Sequence, residues 1–547
     1  MIHYHNETKH HFNRYARSSG FMDWDNQPNP FRHFEGAPIL PLPFMSEDAT
    51  PPYPALYENG IEPVKVRRES VGQFFELSLG LSAWKSFESV RWPLRMNPSS
   101  GNLHPTEGYA VLHLPELGPD ACVCHYTPAV HALEVRTVFS HALWSRLTEG
   151  LPQGSFFVGL SSIHWREAWK YGERAYRYCQ HDVGHAIAGL RLSAATLGWK
   201  LVLFENLGSR DISELLGLER ESDFIDAERE HPDLLAACVP GNLPGNLPLT
   251  LPEEPIAQIA KGIWKGVANK LSTKHVSWPI IDSAAQATGK PRTDSFTLCM
   301  PNKSETPTEE PRKDKQAEPI PSSGEIIRQR RSAASFDGET EISSDTFFQM
   351  LERTLPFAPP WDAVPWEPKI HLCLFVHRVR GLKQGLYILV RDPKVLTALK
   401  SDMKPEFIWQ KPEACPDALP LYLLQEGHSE KLAVQVSCLQ AIAGDSAFSL
   451  GMLAEFEKPL REYGAWYYPR LFWETGMIGQ ILYLEAEFAG VRGTGIGCFF
   501  DNPVLDIFGL SGMAYQSLYH FTVGGPVEDT RLTTLPPYSK ELATQRR

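Results

Sequence analysis

The sequence predicts two copies of one mixed helix-and-strand domain, joined in a single chain and paired with pseudo-twofold symmetry. Three observations point there. At 547 residues, with 42% hydrophobic and 11% aromatic content, the chain can bury more than one core. A second observation is an internal repeat: Tyr171-Gly172, Tyr176, Gly184, Leu190, Leu192, Ala194, Gly198 and Gly217-Leu218 recur as Tyr463-Gly464, Tyr468, Gly476, Leu482, Leu484, Ala486, Gly490 and Gly509-Leu510. Every pair is offset by 292 positions without a gap, and composition alone would give roughly three such identities rather than ten. Two long copies, unlike the short units of a solenoid, can pack on each other as a homodimer would. Third, residues 283–323 lose their apolar content and end in a charged run from Glu309 to Lys315, which suits a flexible linker.

Taken in order, residues 1–65 are rich in proline and aromatics and read as an extended arm lying on a core. His3, His5, His10 and His11 could hold a metal, but they lack acidic or cysteine partners at ligand spacing, so a docking or solvated segment is expected and no metal site is assigned. The first domain is set at 66–250. Its apolar spacing predicts a helix from Val71 to Leu81, and Tyr109, Val111 and Leu112 predict a strand after the loop Pro98-Ser99-Ser100-Gly101-Asn102. Leu133 and Val135 suggest a short strand. Asp182 is expected to open a long helix capped by Gly198, Leu201–Phe204 to form a buried strand, and Ile212–Leu218 a further helix. A helix is expected near 256–271 within a partly disordered linker at 251–323. The second domain, 324–547, carries a strand at Ile370–Val376 and its own helix stripe through Ile478, Leu482, Ala486 and Ala489, capped by Gly490.

The two copies differ where function would be expected. The second has Gly493-Thr494-Gly495-Ile496-Gly497 where the first has Leu201-Val202-Leu203-Phe204-Glu205. Glycines on alternate residues bare one face of a strand for something planar. Arg330-Arg331-Ser332, closing a helix-like run, offers two guanidinium groups and a hydroxyl to a phosphate. The first copy lacks that cluster. Conversely the second copy has Pro359-Pro360-Trp361-Asp362 where the first has its Ser-Ser-Gly-Asn loop, so each half holds part of one site.

These motifs together resemble the FMN-dependent nitroreductase superfamily, and Lys170-Tyr171-Gly172 with Arg174 and Tyr176 resembles its SagB-like (SagB/ThcOx) dehydrogenase branch. The resemblance covers both halves and excludes the arm and linker. It implies an α+β fold, with the two nitroreductase-like domains forming an intrachain pseudo-dimer and one FMN per chain at their interface. It also implies that Arg330, Arg331 and Ser332, joined by Arg531, hold the FMN phosphate; that Gly493, Thr494, Gly495 and Gly497 line the flavin; and that Pro98, Ser99, Ser100 and Asn102 reach across from the first half. Lys170 and Tyr171 become the candidate acid/base pair beside hydride transfer. Their competing readings are a solvated cation and a packing residue. The family's second arginine is Ala334 here, and the counterpart of Lys170 is Glu462.

A formal charge of −12 argues against general nucleic-acid or anionic-membrane surfaces and for small-molecule or peptide substrates. Nine cysteines at irregular spacing suit a reducing compartment, and no apolar run approaches the ~20 residues of a membrane span, so a soluble cytoplasmic protein is expected. The expected activity is hydride transfer between substrate and flavin. Alternatives are an NAD(P)H-dependent nitro or quinone reductase, with NAD(P)H or oxygen as redox partner, and a non-catalytic flavin-binding or flavin-free scaffold.

Overall fold

In the computed structural model two long helices cross at the centre of the molecule, α2 (Ala175–Thr196) and α4 (Tyr468–Phe488). The structure describes residues 1–58, 60–243, 250–293, 319–357 and 359–539. The helices meet at Gly184 and Gly476, the equivalent positions of the repeat. A Cβ added to either glycine would lie 2.8 Å from the other's Cα and would run into the backbone carbonyl of Trp473 or His181. The contact is therefore self-complementary, the mark of a twofold axis. All of α2 is buried, because one side covers its own sheet and the other its partner helix.

The strands are β1 (Ile39–Pro41), β2 (Thr106–Leu112), β3 (Ala121–Thr127), β4 (Ala132–Phe139), β5 (Phe156–Ser162), β6 (Trp199–Leu203) and β7 (His231–Pro240) in the first half. The second half has β8 (Ile370–Val376), β9 (Gly385–Leu389), β10 (Leu421–Glu426), β11 (Phe448–Glu455), β12 (Arg492–Ile496) and β13 (Tyr515–Gly524). The first sheet runs β1-β4-β3-β2-β5-β7-β6 and the second β10-β9-β8-β11-β13-β12, both antiparallel. Apart from the edge strand β1, the order is the same in both. The 292-residue offset also matches Ser209–Leu216 with Asp501–Phe508, each ended by a left-handed glycine, Gly217 and Gly509. One continuous apolar cluster spans both halves, from Tyr4 to Val523.

Local differences from the sequence reading have physical causes. Helix α2 starts at Ala175, seven residues before Asp182, because Arg174 and Arg177 are buried against Asp501 and a polar first turn is thereby accommodated. The first-half helix α1 runs Arg68–Ser78, three residues earlier than its apolar stripe. The helix expected at 256–271 stops at Ala260, where the chain turns to place Trp264 under Gly217. Residues 251–293, expected within the linker, carry structure on the first half: Lys265 and Gly266 carbonyls hold Arg136, and Arg292 pairs with Asp211. The charged run from Glu309 to Lys315 lies outside the described residues.

The arm straps the halves together. His5 is buried between Tyr468 and Gln516 of the second half, and the His10 N–H donates to Asp501 at 2.8 Å. The Asp501 carboxylate also receives Arg174 and Arg177 from α2, which hold it far below the carboxylate range against its burial. Both histidines serve docking. Among the described residues no helix is long and apolar enough to cross a membrane.

Candidate functional site

A cleft opens between the halves. Its first-half wall is the segment from Arg95 to Asn102 with Tyr171, Tyr178 and Asp182. The second half contributes Arg330–Ala334, Tyr483, β12 and Cys498. Pro98, Ser99, Ser100, Asn102, Arg330, Arg331, Ser332, Thr494, Gly495, Gly497 and Tyr171 all reach this one cleft from opposite ends of the sequence.

One end is cationic. Helix α3 (Ser323–Gln329) delivers Arg330–Ser332 alongside β12, where Ser332 bridges Gly493 and the Ala333 N–H donates to the Gly493 carbonyl at 3.2 Å. Arg330 is buried under the Tyr483 ring and donates to the Arg95 carbonyl, but its Nε has no partner among the described residues. Burial lowers Arg330, and burial together with Arg330 pulls Arg331 down to about 10. Two adjacent guanidinium groups in a half-dry pocket repel each other, and an anion relieves that cost. Lys85 and Arg492 stand on the same wall. The Ser332 hydroxyl donates to Tyr483, whose own oxygen receives the Gly495 N–H at 2.8 Å.

The other end is a strained polar loop. Gly101, Asn102 and His104 all adopt left-handed φ, near 60°, 60° and 53°. Such geometry in non-glycine residues is held in place by surrounding contacts. Here Asp182 of α2 receives the Ser100 N–H at 3.1 Å, the Ser99 hydroxyl receives the His104 N–H at 2.7 Å, and Asn102 donates to the Pro93 carbonyl at 2.9 Å. A Cβ on Gly101 would sit 2.5 Å from the Tyr171 hydroxyl and 3.1 Å from Lys170 Nζ, so both groups lie against the loop. Lys170 is outside the cleft lining, with its ammonium 5.3 Å from the Tyr171 ring centre. Burial, with no ion pair among the described residues, raises Asp182 to about 7; burial and Asp182 raise Glu167 further, and burial and Glu167 raise the Tyr171 phenol. This end shifts its weak acids toward the protonated form.

Two site expectations are corrected. The bare face of the glycine strand is not open to a planar ligand: a Cβ on Gly493 would stand 2.7 Å from the Phe521 ring, and one on Gly495 or Gly497 would collide with Tyr519 or Tyr178. The glycines admit the protein's own aromatic rings, leaving main chain at Gly495 and Gly497 on the cleft. Arg531 is 74% exposed, pairs with Asp529 at 2.8 Å and is absent from the lining. Arg492, ion-paired with Glu528, lines the cleft instead. Its position directly before Gly493, alternating with the glycines along a strand, was the available signal. Lys85, Asp182 and Glu167 carry no motif, because only the fold brings them to the loop.

At the symmetry-related position a smaller pocket remains, lined by Glu205, Arg470, Trp366 and Trp466. Glu205 and Arg470, counterparts of Gly497 and Tyr178, form an ion pair with both side chains 6% exposed, and Trp466 and Trp366 stack on the guanidinium at 4.4 and 4.6 Å. Arg191, the counterpart of Tyr483, grips Asp362 through two hydrogen bonds of 2.7 and 2.8 Å.

A solved structure of a protein from Anabaena variabilis assigned as a nitroreductase superposes on the whole molecule, with a TM-score of 0.68 at 19% identity over 96% of this chain and 99% of that one. The fold is that of the nitroreductases. Because the match takes in both halves at once, the tandem pairing belongs to the shared fold. Two partial matches are a Ralstonia eutropha protein assigned as a nitroreductase (16% identity, 42% and 98% covered, TM-score 0.28) and the Escherichia coli microcin synthetase McbBCD bound to truncated pro-MccB17 (17%, 43% and 84%, TM-score 0.28). No protein-family model and no curated protein matches the chain.

Proposed function

We propose that the chain is an FMN-dependent oxidoreductase that moves hydride between a small-molecule or peptide substrate and a single flavin, in the manner of the SagB-like dehydrogenases. The observation that carries this reading is the asymmetry of the two equivalent positions. One combines a cationic end, holding a buried Arg330 Nε with no partner among the described residues, with a main-chain strand edge and a polar loop; the other is smaller and carries internal ion pairs.

The donor set fits FMN. Arg330, Arg331 and Ser332, with Arg492 and Lys85, would hold the phosphate through charge-assisted hydrogen bonds. The main chain at Gly495 and Gly497 and the loop Pro98–Asn102 would bracket the ring system from the two halves. The chemistry a bound FMN supplies is two-electron hydride exchange. Tyr171, its phenol kept protonated by burial and Glu167, would give or take the substrate proton at Oη, and the Lys170 ammonium over its ring would stabilise the phenolate that results. Asp182 would brace Ser100. The domain units are proposed as 66–250 and 324–547, and a cytoplasmic setting is inferred from the unpaired cysteines.

The test is reduction of flavin bound to the purified protein, followed anaerobically by absorbance. Bleaching on addition of a thiazoline- or oxazoline-type substrate and recovery with oxygen supports the dehydrogenase; bleaching by NAD(P)H supports the reductase alternative. Redox-silent or absent flavin in folded protein would leave the scaffold.

A further inference from the structure

Cys498 follows the glycine strand directly and lines the cleft, while Cys438 comes from a turn some sixty residues earlier. Their sulfurs are in contact at 2.6 Å, and both residues are partly exposed. The turn is built to deliver that contact. Cys438 and Leu439 take left-handed φ of 52° and 61°, an arrangement unusual for two consecutive non-glycine residues. The segment is tied down on both sides of the sulfurs, by the Gln440 side chain donating to the Cys498 carbonyl at 3.0 Å and the Phe500 N–H donating to the Val436 carbonyl at 2.8 Å. Arg174, 3.4 Å from the Gly497 carbonyl through Nη2, stands nearby with its charge shared with Asp501. The contact with Cys438 lowers the Cys498 thiol against its burial, and Arg174 assists. Partial exposure in an electropositive setting distinguishes reactive thiols from inert buried ones.

We propose that Cys438 and Cys498 are a redox-active dithiol at the rim of the cleft that exchanges with low-molecular-weight disulfides. The Cys498 thiolate attacks one sulfur of the small disulfide, breaking its S–S bond, forming a mixed disulfide and releasing one small thiolate. The Cys438 thiolate then attacks Cys498 Sγ, forming the Cys438–Cys498 bond and releasing the second. Two protein thiols are oxidised, one small disulfide is reduced to two thiols, and the two protons leave with them. The bond ties the turn to the end of β12 at the edge of the cleft. Cys122 and Cys124 provide an internal contrast: their sulfurs lie 3.4 Å apart on one strand, with Cys124 fully buried.

The experiment treats the full chain, folded, with millimolar oxidised glutathione, quenches with acid, alkylates free thiols under denaturing conditions and maps peptides without reduction. The expected result is a Cys438–Cys498 cross-linked peptide two hydrogens lighter than its parts, with alkylatable thiols falling from nine to seven while Cys122 and Cys124 remain alkylated. Cys438→Ser should trap glutathione on Cys498. Full alkylation of both cysteines in folded wild-type protein, or stable glutathione adducts on both without a cross-link, would overturn the proposal. Neither readout depends on flavin.

Discussion

The two clefts made by the twofold repeat began from the same architecture and now hold opposite solutions. Where one has Gly497 against Tyr178 and a Ser332–Tyr483 hydrogen bond, the other has Glu205 bonded to Arg470 and Arg191 clasping Asp362. In the first, Arg492 pairs with Glu528 while Arg330 and Arg331 make no ion pair among the described residues; in the second the charges are internally paired. The same division runs through the central helices. Asp182 braces a loop and makes no ion pair among the described residues, whereas its counterpart Glu474 receives the Lys369 and Ile370 N–H groups and is neutralised by Arg391. The two equivalent positions thus differ in how their polar groups are satisfied.

The largest expected effect tests the ion-paired side. Glu205→Ala strands the Arg470 guanidinium in a buried site and should cost about 3–5 kcal/mol of stability. Flavin affinity at 25 °C should be unchanged in the protein that remains folded; a matching loss of affinity would erase the distinction between the clefts. Next comes the other side. Arg331→Ala removes charged hydrogen bonds worth about 1.5–3 kcal/mol, so FMN should bind roughly 10- to 150-fold more weakly, read by quenching of flavin fluorescence. Unfolding should show no loss comparable to that of Glu205→Ala. At the axis, Gly184→Ala forces the helices apart and should cost about 1–3 kcal/mol, with Gly476→Ala matching it because the contact is self-complementary.

Read per pH unit, the smallest effect is a pH dependence. Asp182, raised to about 7 in the folded chain, binds more protons there than in the unfolded chain between pH 4 and 7. Its contribution therefore favours the folded state below the unfolded carboxylate value and declines as pH rises, at up to about 1.4 kcal/mol per pH unit through that window, until it is lost above 7. Unfolding free energies of wild type and Asp182→Asn should diverge along that slope. Parallel curves would mean that Asp182 is ionised throughout.

Much of this architecture was legible because it is written in local periodicity and in a repeat that has kept its spacing. Gly184 and Gly476 matched in the sequence, and the fold shows that helix crossing requires both. Arg330–Ser332 and Pro98–Asn102 were readable as parts of one cleft because each copy lacked the other's motif. The role of the glycine strand was misread, since a stripped face says nothing about which ring fills it, and Phe521, Tyr519 and Tyr178 come from elsewhere in the chain. Arg531 followed from a motif position, yet its side chain pairs with Asp529 only two residues away. The polar start of α2 hid a helix whose arginines are balanced by Asp501, more than three hundred residues on. Long-range charge pairing is what the sequence pattern left unspecified.

The central claim is one working cleft assembled from both halves, and bound FMN per chain tests it most directly. Titration of the apoprotein followed by released-flavin absorbance should give one FMN per chain, weakened both by Arg331→Ala and by the Ser99→Ala/Asn102→Ala pair. Two FMN per chain, or one FMN indifferent to changes in either half, would contradict the account.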